Sequence, residues 1–242
     1  MTTGSSDAWL ITLLARLIGS ARHVAVGAAS PLPAAAALMA KVRHGTRVTL
    51  LHSRRYNPFT DGSRELFDLA GQGRIDVFFL GGVQIDGQAN VNLVGTGTYP
   101  RLDKRFPGCF GAAYLAYVVP RVILFREEHS PRTLVERVDF ISAPGTSPPG
   151  VFRPGGPSHL LTSLALFAFD RAIGRFRLEA RQPDTPIETI QRATGFAFDQ
   201  VPSVPPWPGP TTDDLALLRG PVATALAESY PEFARRLAAH LA

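Results

Sequence analysis

The sequence predicts an α/β fold: a doubly wound, mostly parallel sheet with helices on both faces. Three observations carry this. Short apolar runs alternate with helical patterns through the first half. The run 75–80 is mostly apolar on both faces, as expected of a strand in the buried middle of a parallel sheet. And 242 residues that are 45% hydrophobic and 19% charged hold enough apolar material for one large core. That length favours a single domain, 1–242, over two small ones.

Each element follows from its own residues. Residues 7–20 read as an amphipathic helix with Asp7 near its N-cap. The apolar stretch within it carries Arg16, has no basic region before it and falls far short of the ~20 residues a membrane span needs, so no membrane partner is expected. Residues 23–27 read as a strand ending at a glycine. Residues 31–43 read as an Ala-rich helix whose prolines sit in the first turn, where a missing N–H does no harm. Residues 47–51 form the next strand, and 63–70 a helix with Ser63 as its cap and Gly71 and Gly73 ending it. The strand 75–80 follows.

Beyond it, 81–97 is a polar Gly/Asn loop, 110–117 a helix and 121–125 a strand. Residues 142–156, rich in Pro and Gly, read as a long irregular loop. Residues 159–170 and 175–180 read as two strands paired around a turn at 171–174, and 186–192 as a short helix. Residues 202–210 hold five prolines and read as extended surface chain. From about 211 a helical extension runs to Ala242, starting at Pro221 in its second part and broken near Pro231.

Composition narrows the function. The formal charge of +5 is carried almost wholly by arginine, with Lys41 and Lys104 as the only lysines. The arginines are scattered, without a basic run or interleaved aromatics, so no nucleic-acid partner is expected, while the phosphates of a small ligand remain suitable. Cys109 is the only cysteine, which rules out an intrachain disulfide and speaks against a Cys-based metal site. That fits a reducing cytoplasm. The sequence contains no metal-ligand cluster, P-loop, Gly-x-Gly-x-x-Gly or Ser-His-Asp set, so neither a metal nor a permanently bound cofactor is expected.

In open α/β sheets ligands bind past the carboxyl ends of the strands, which directs attention to three loops. After Leu80 comes Gly81-Gly82-Val83-Gln84-Ile85-Asp86-Gly87-Gln88-Ala89-Asn90-Val91-Asn92. Its two glycines let a ligand or a second backbone approach closely. Its Gln84, Asp86, Asn90 and Asn92 either face a ligand or hold the turn by their own side chains. The second loop is Arg105-Phe106-Pro107-Gly108-Cys109-Phe110-Gly111-Ala112-Ala113 at a helix start, where Gly108 and Gly111 leave N–H groups open to an anion or oxyanion. Cys109 reads as a small buried thiol, since no partner base can be assigned. The third loop, His52-Ser53-Arg54-Arg55-Tyr56-Asn57, offers His52 as a base and two arginines for phosphate, or is an ordinary solvated loop. His159 reads as structural.

Four stretches in order resemble one family. Phe78-Phe79-Leu80-Gly81-Gly82-Val83-Gln84-Ile85-Asp86 with Asn90-Val91-Asn92 resembles the FLGGAQID and GN-x-N stretch of glutaconate-type CoA-transferase beta subunits. The Arg105–Ala113 loop resembles their R-L-P-G-S-G-G-A loop. Val135-Glu136-Arg137-Val138-Asp139-Phe140-Ile141-Ser142-Ala143-Pro144-Gly145 is similar to their V-x-KVDFITSPG. Residues 160–170 with Thr194-Gly195-Phe196 resemble the closing VVTDLAVFDFD…TGF. The resemblance, to family I CoA-transferases of the glutaconate or 3-oxoacid type, spans about 64–198. It implies a CoA-transferase-like α/β domain, an alpha subunit of related fold in a heterodimer or heterotetramer, and coenzyme A entering as a substrate moiety rather than a bound cofactor. By the same resemblance, CoA or substrate contacts fall on Gly81, Gly82, Gln84, Asp86, Asn90, Asn92, Gly108 and Gly111.

The family places a nucleophilic glutamate in the loop after an early strand, where it attacks the acyl-CoA carbonyl. The equivalent loop here offers His52 and Ser53 and no carboxylate before Asp61, with Glu65 beyond it. No catalytic residue is therefore assigned beyond these two loop candidates. Relatives lacking that glutamate include hydrolases of cyclic CoA thioesters, among them steroid-ring-opening enzymes with a catalytic carboxylate in the alpha subunit. Transfer of CoA between carboxylic acids is the leading expectation. Hydrolysis or ring cleavage is the alternative. A non-catalytic role in stabilising the partner is a second alternative, and a ligand sensor a third, weakened by the lack of a helix-turn-helix extension.

Overall fold

A computed structural model describes residues 3–241, which divide into two compact units: one reaching from the N-terminus to Phe79 and resuming at Pro208, the other Leu80–Trp207. The first unit opens with α1 (Thr3–Ile18), β1 (His23–Val26), α2 (Pro31–His44), β2 (Arg47–Leu50), α3 (Ser63–Gly71) and β3 (Val77–Leu80). β1 pairs in parallel with β2 on one side and β3 on the other, with Val24 opposite both Val48 and Val77. All residues of β1 and β3 are buried, which explains why neither alternates polar with apolar. α2 is buried without interruption from Leu32 to Ala40, and Gly45 ends it in the left-handed conformation at φ 70°.

The second unit holds β4 (Gln84–Ile85), β5 (Val91–Asn92), β6 (Gly95–Thr98), β7 (Arg101–Arg105), α4 (Ala112–Val118), β8 (Arg121–Phe125), β9 (Pro157–Leu161), β10 (Ala165–Asp170), β11 (Arg175–Arg181), α5 (Ile187–Ala193) and β12 (Asp199–Gln200). β8 and β9 are parallel, β9, β10 and β11 form an antiparallel meander, and β11 and β12 are parallel. Phe167 centres the core here, in ring contact with Phe176, Phe196, Phe198 and His129. The chain then returns to the first unit as α6 (Thr212–Leu217), a π-helical turn (Leu218–Val222), α7 (Ala223–Leu226) and α8 (Pro231–His240). Thr211 caps α6 in a reciprocal box with Asp214, whose other oxygen holds Arg43 of α2. Among the described residues no helix is long and apolar enough to cross a membrane.

The mostly parallel strands flanked by helices are those the sequence predicts. Several boundaries differ, each for a physical reason. α1 starts four residues before Asp7, which is buried inside the helix 3.5 Å from Arg236 rather than capping it; burial pushes its carboxyl up. Ser63 is not a cap: Gly62 holds that position at φ 56°, and the Glu65 carboxylate reaches back to Asp61 N–H at 2.8 Å. The loop 81–97 contains β4 and β5 and the start of β6, strands too short or too glycine-rich to show alternation. Residues 159–170 are two strands, because Thr162 Oγ1 accepts from Ala165 N–H at 3.0 Å and turns the chain. Pro221 lies within the π-helical turn rather than at a helix start. Ala242 lies outside the described residues.

Candidate functional site

The loop after β3 is built on close backbone approach. A Cβ on Gly82 would stand 2.4 Å from Val91 Cγ1 and 2.7 Å from Asn92 O, and one on Gly81 would stand 2.8 Å from Phe125 O. Only glycine fits at either place. The fold past them brings Gln84, Asp86, Asn90 and Asn92 together, all buried.

Their polar atoms are spent on one another and on the loop. Asp86 Oδ1 accepts from Gln88 N–H and Asn90 N–H, both at 3.0 Å, and Oδ2 accepts from Asn90 Nδ2 at 3.1 Å. Asn90 Oδ1 accepts from Gly145 N–H at 3.1 Å. Asn92 Nδ2 donates to Gln84 Oε1 at 2.7 Å, and Gln84 Nε2 donates to Asp139 Oδ2 at 3.1 Å. Asp139 N–H returns a bond to Gln84 Oε1 at 3.0 Å. The stretch around Asp139 and Gly145 is thereby tied to the glycine loop, with each buried amide satisfied. Such a network fixes backbone and leaves little side-chain capacity for a ligand, so it acts by shaping the surface above it.

The second loop is looser. Gly108 has φ +106° with open space around it, and Gly111 has φ +67° at the N-cap of α4. Phe110 between them is also left-handed, at φ 37°, and 65% exposed. Cys109 is half-buried, less than the buried thiol the sequence suggests. Neither glycine hydrogen-bonds to the Gln84–Asn92 cluster among the described residues.

The loop after β2 holds the feature that sequence reading missed. Ser53 is buried, and its Oγ donates to Glu228 Oε2 at 2.7 Å while accepting from Tyr56 N–H at 2.8 Å. Glu228 Oε1 accepts from Arg54 N–H at 2.7 Å, and Ser229 Oγ donates to Oε2. Hydrogen bonds from Ser229 and Ser53, with those of the loop N–H groups, hold this carboxyl at a pKa of about 2. His52 is exposed and stacks on Tyr230, ring centroids 5.4 Å apart. A loop with no carboxylate of its own thus receives one from the segment between α7 and α8. Asp61 and Glu65 do not fill that place: Asp61 pairs with Arg64, and Glu65 binds the 60–61 backbone. Nothing in the local sequence marks Glu228, because its partner lies 175 positions away.

The remaining histidines of the core are structural. His129 bridges Thr162 and Thr194 at 2.7 and 2.9 Å, and burial lowers its pKa to about 4. Burial also lowers His159, whose Nδ1 lies 3.1 Å from Ser158 Oγ. No group of three or more His, Cys, Asp or Glu that could hold a metal ion occurs among the described residues.

Comparison with known proteins places these loops in a wider pattern. The coenzyme A transferase family pattern matches residues 15–193. The B-type subunit of 3-oxoadipate CoA-transferase from Pseudomonas knackmussii is 31% identical over 153 residues, covering 61% of this chain and 58% of that protein. The B-type subunit of glutaconate CoA-transferase from Acidaminococcus fermentans is 32% identical over 130 residues, 51% of this chain and 48% of that one. The chain thus spans about half the length of the curated relatives it matches. The solved glutaconate coenzyme A-transferase of the same organism superposes with a TM-score of 0.78 at 23% identity, over 92% of this chain and 96% of that one. The crystal structure of the decarboxylase AibA/AibB superposes with a TM-score of 0.78 at 25% identity, over 96% and 98%.

Proposed function

The chain belongs to the coenzyme A transferase family, and from that membership we propose that it is the beta-type subunit of a two-subunit enzyme acting on acyl-CoA thioesters. The observation that carries this is the reach of the family pattern over 15–193, which includes both the loop after β2 and the Gln84–Asn92 network. Coenzyme A enters as a substrate moiety, transferred between carboxylic acids. The matched relatives are transferase subunits, which favours transfer over hydrolysis without an acceptor.

In this reading Gly81 and Gly82 let the protein's own chain close against the loop, and Gln84, Asp86, Asn90 and Asn92 hold that backbone rigid beneath the ligand surface. Gly108 and Gly111 present the N–H groups of the second loop. Ser53, saturated by Glu228 and Tyr56, positions the loop after β2, and His52 is its side chain available to a proton. The attacking carboxylate is supplied from outside this loop, by the acceptor acid or by the partner.

The partner is an alpha subunit of related fold. Seven of the eight exposed large apolar side chains of the described residues, Phe110 and Phe152 among them, fall in 80–207, so that unit carries the partner face. The single cysteine fits a cytoplasmic enzyme. Co-expression with the alpha subunit is the test of this assignment: acyl-CoA turnover is expected from the complex and from neither chain alone. Full turnover by this chain alone would contradict it.

A further inference from the structure

A cavity of about 290 Å³ in the second unit is lined by Thr146, Ser147, Val151, Arg153 and Arg171, with glycines between them. Arg153 is half-buried and firmly held. Its Nε donates to Gly155 O at 3.0 Å, its Nη2 to Ala116 O at 2.9 Å and Pro144 O at 2.8 Å, and its Nη1 lies 3.4 Å from Ser147 Oγ. Every one of these partners is neutral, and the Tyr117 ring lies under the guanidinium at 5.7 Å, so the group is fixed in place with no carboxylate to balance its charge.

A second guanidinium converges on it. A Cβ on Gly156 would lie 3.4 Å from Arg153 Nε and 3.5 Å from Arg171 Nη1. Burial and the neighbouring Arg171 both push the Arg153 pKa down. Among the described residues no carboxylate pairs with either arginine. Asp170 is next in sequence, but its Oδ1 is turned into the hairpin, accepting from Ala172 N–H at 2.8 Å. A purely structural role accounts for Arg153, which ties the 144–155 loop to the end of α4. It does not account for Arg171, which makes no hydrogen bond to the protein among the described residues and yet lies close enough for its charge to act on Arg153. Two converging cations at a cavity without an acid between them are stabilised by an anion.

We propose that this cavity binds a phosphate monoester dianion, clamped between Arg153 and Arg171 with the Thr146 and Ser147 hydroxyls as further donors. One fixed and one mobile positive charge at the same cavity match the near-dianion of a monoester at neutral pH, whereas a carboxylate or phosphodiester brings one charge. On the acyl-CoA reading proposed above, the source is the 3′-phosphate of coenzyme A. The same chemistry is offered by inorganic phosphate.

The test is calorimetric titration of the full chain, alone and in complex with its alpha subunit, at low ionic strength. The probes are inorganic phosphate, coenzyme A and 3′-dephospho-coenzyme A. Arg171→Ala is the main variant, because Arg171 is exposed and holds no backbone; Arg153→Lys, which keeps the charge but not the fork, is the second. Wild-type protein is expected to bind coenzyme A on the order of tenfold more tightly than the dephospho form, with Arg171→Ala erasing the difference at an unchanged melting temperature. Phosphate binding lost in Arg171→Ala, without any preference between the two coenzyme forms, supports the anion site and removes coenzyme A as its source. Equal preference for coenzyme A in wild type and Arg171→Ala overturns the site while leaving the acyl-CoA reading intact. No phosphate or coenzyme binding by wild type, alone or in complex, overturns both.

Discussion

Ser53 Oγ donates a 2.7 Å hydrogen bond to Glu228 Oε2, joining the loop after β2 to the segment between α7 and α8. Because the same hydroxyl accepts from Tyr56 N–H and the same carboxylate accepts from Arg54 N–H, the two residues together set the path of 52–56. The segment between α7 and α8 thereby fastens the loop after β2.

Removing the hydroxyl leaves the Tyr56 N–H without its acceptor in a part-buried place. Ser53→Ala is therefore expected to lower stability by about 1–2 kcal/mol. Urea denaturation checks this; a variant as stable as wild type would show that the bond contributes nothing net.

Glu228→Gln keeps the shape and removes the charge. The loop amide of Arg54 is expected to exchange hydrogen faster, and turnover of the complex to fall roughly tenfold, mainly in kcat if the loop must be rigid for the chemical step. Unchanged exchange at Arg54 with unchanged kcat would show that this exposed carboxylate does not hold the loop.

Asp86 accepts three N–H groups within hydrogen-bonding distance at 3.0–3.1 Å. Asp86→Ala orphans them in a buried loop, so stability should drop by about 2–3 kcal/mol and turnover should be lost with the loop's shape. Thermal melting alongside the assay separates the two effects. Gly82→Ala is expected to cost at least as much, since its methyl would overlap both Val91 and the Asn92 carbonyl.

His129 titrates at about 4 in the folded protein, below the 6.5 of an unperturbed imidazole, because burial disfavours its charged form. Unfolding then takes up a proton between those values. The stability held by neutral His129 is complete above pH 6.5 and is lost as pH falls towards 4, by about 3 kcal/mol at most. Denaturation midpoints across pH 4–7 should show this slope, and His129→Gln should flatten it; His23 and His159, also lowered by burial, contribute in the same direction.

Much of the fold was legible because its signals are local. The continuous apolar runs at β1 and β3 and the prolines opening α2 each point to one structure. The glycine pair before Gln84 and the four amide and carboxylate side chains after it announced a built loop, although sequence alone left open whether those groups face a ligand or one another. The structure shows them bonded to one another. What stayed hidden is what depends on distant partners. Asp7 has the composition of a cap, yet the fold buries it inside α1 beside the exposed Arg236 of α8. Glu228 sits in an unremarkable stretch and acquires meaning only through Ser53. The convergence of Arg153 and Arg171 needs the fold around Gly156 to exist at all.

The most direct test of the central claim is the acceptor dependence of thioester formation by the complex with the alpha subunit. Acyl-CoA is incubated with and without a free carboxylic acid, following both new thioester and free coenzyme A. The account predicts a new thioester that appears only when an acceptor acid is present. Free coenzyme A, or a cleaved thioester, formed at full rate without acceptor would contradict it.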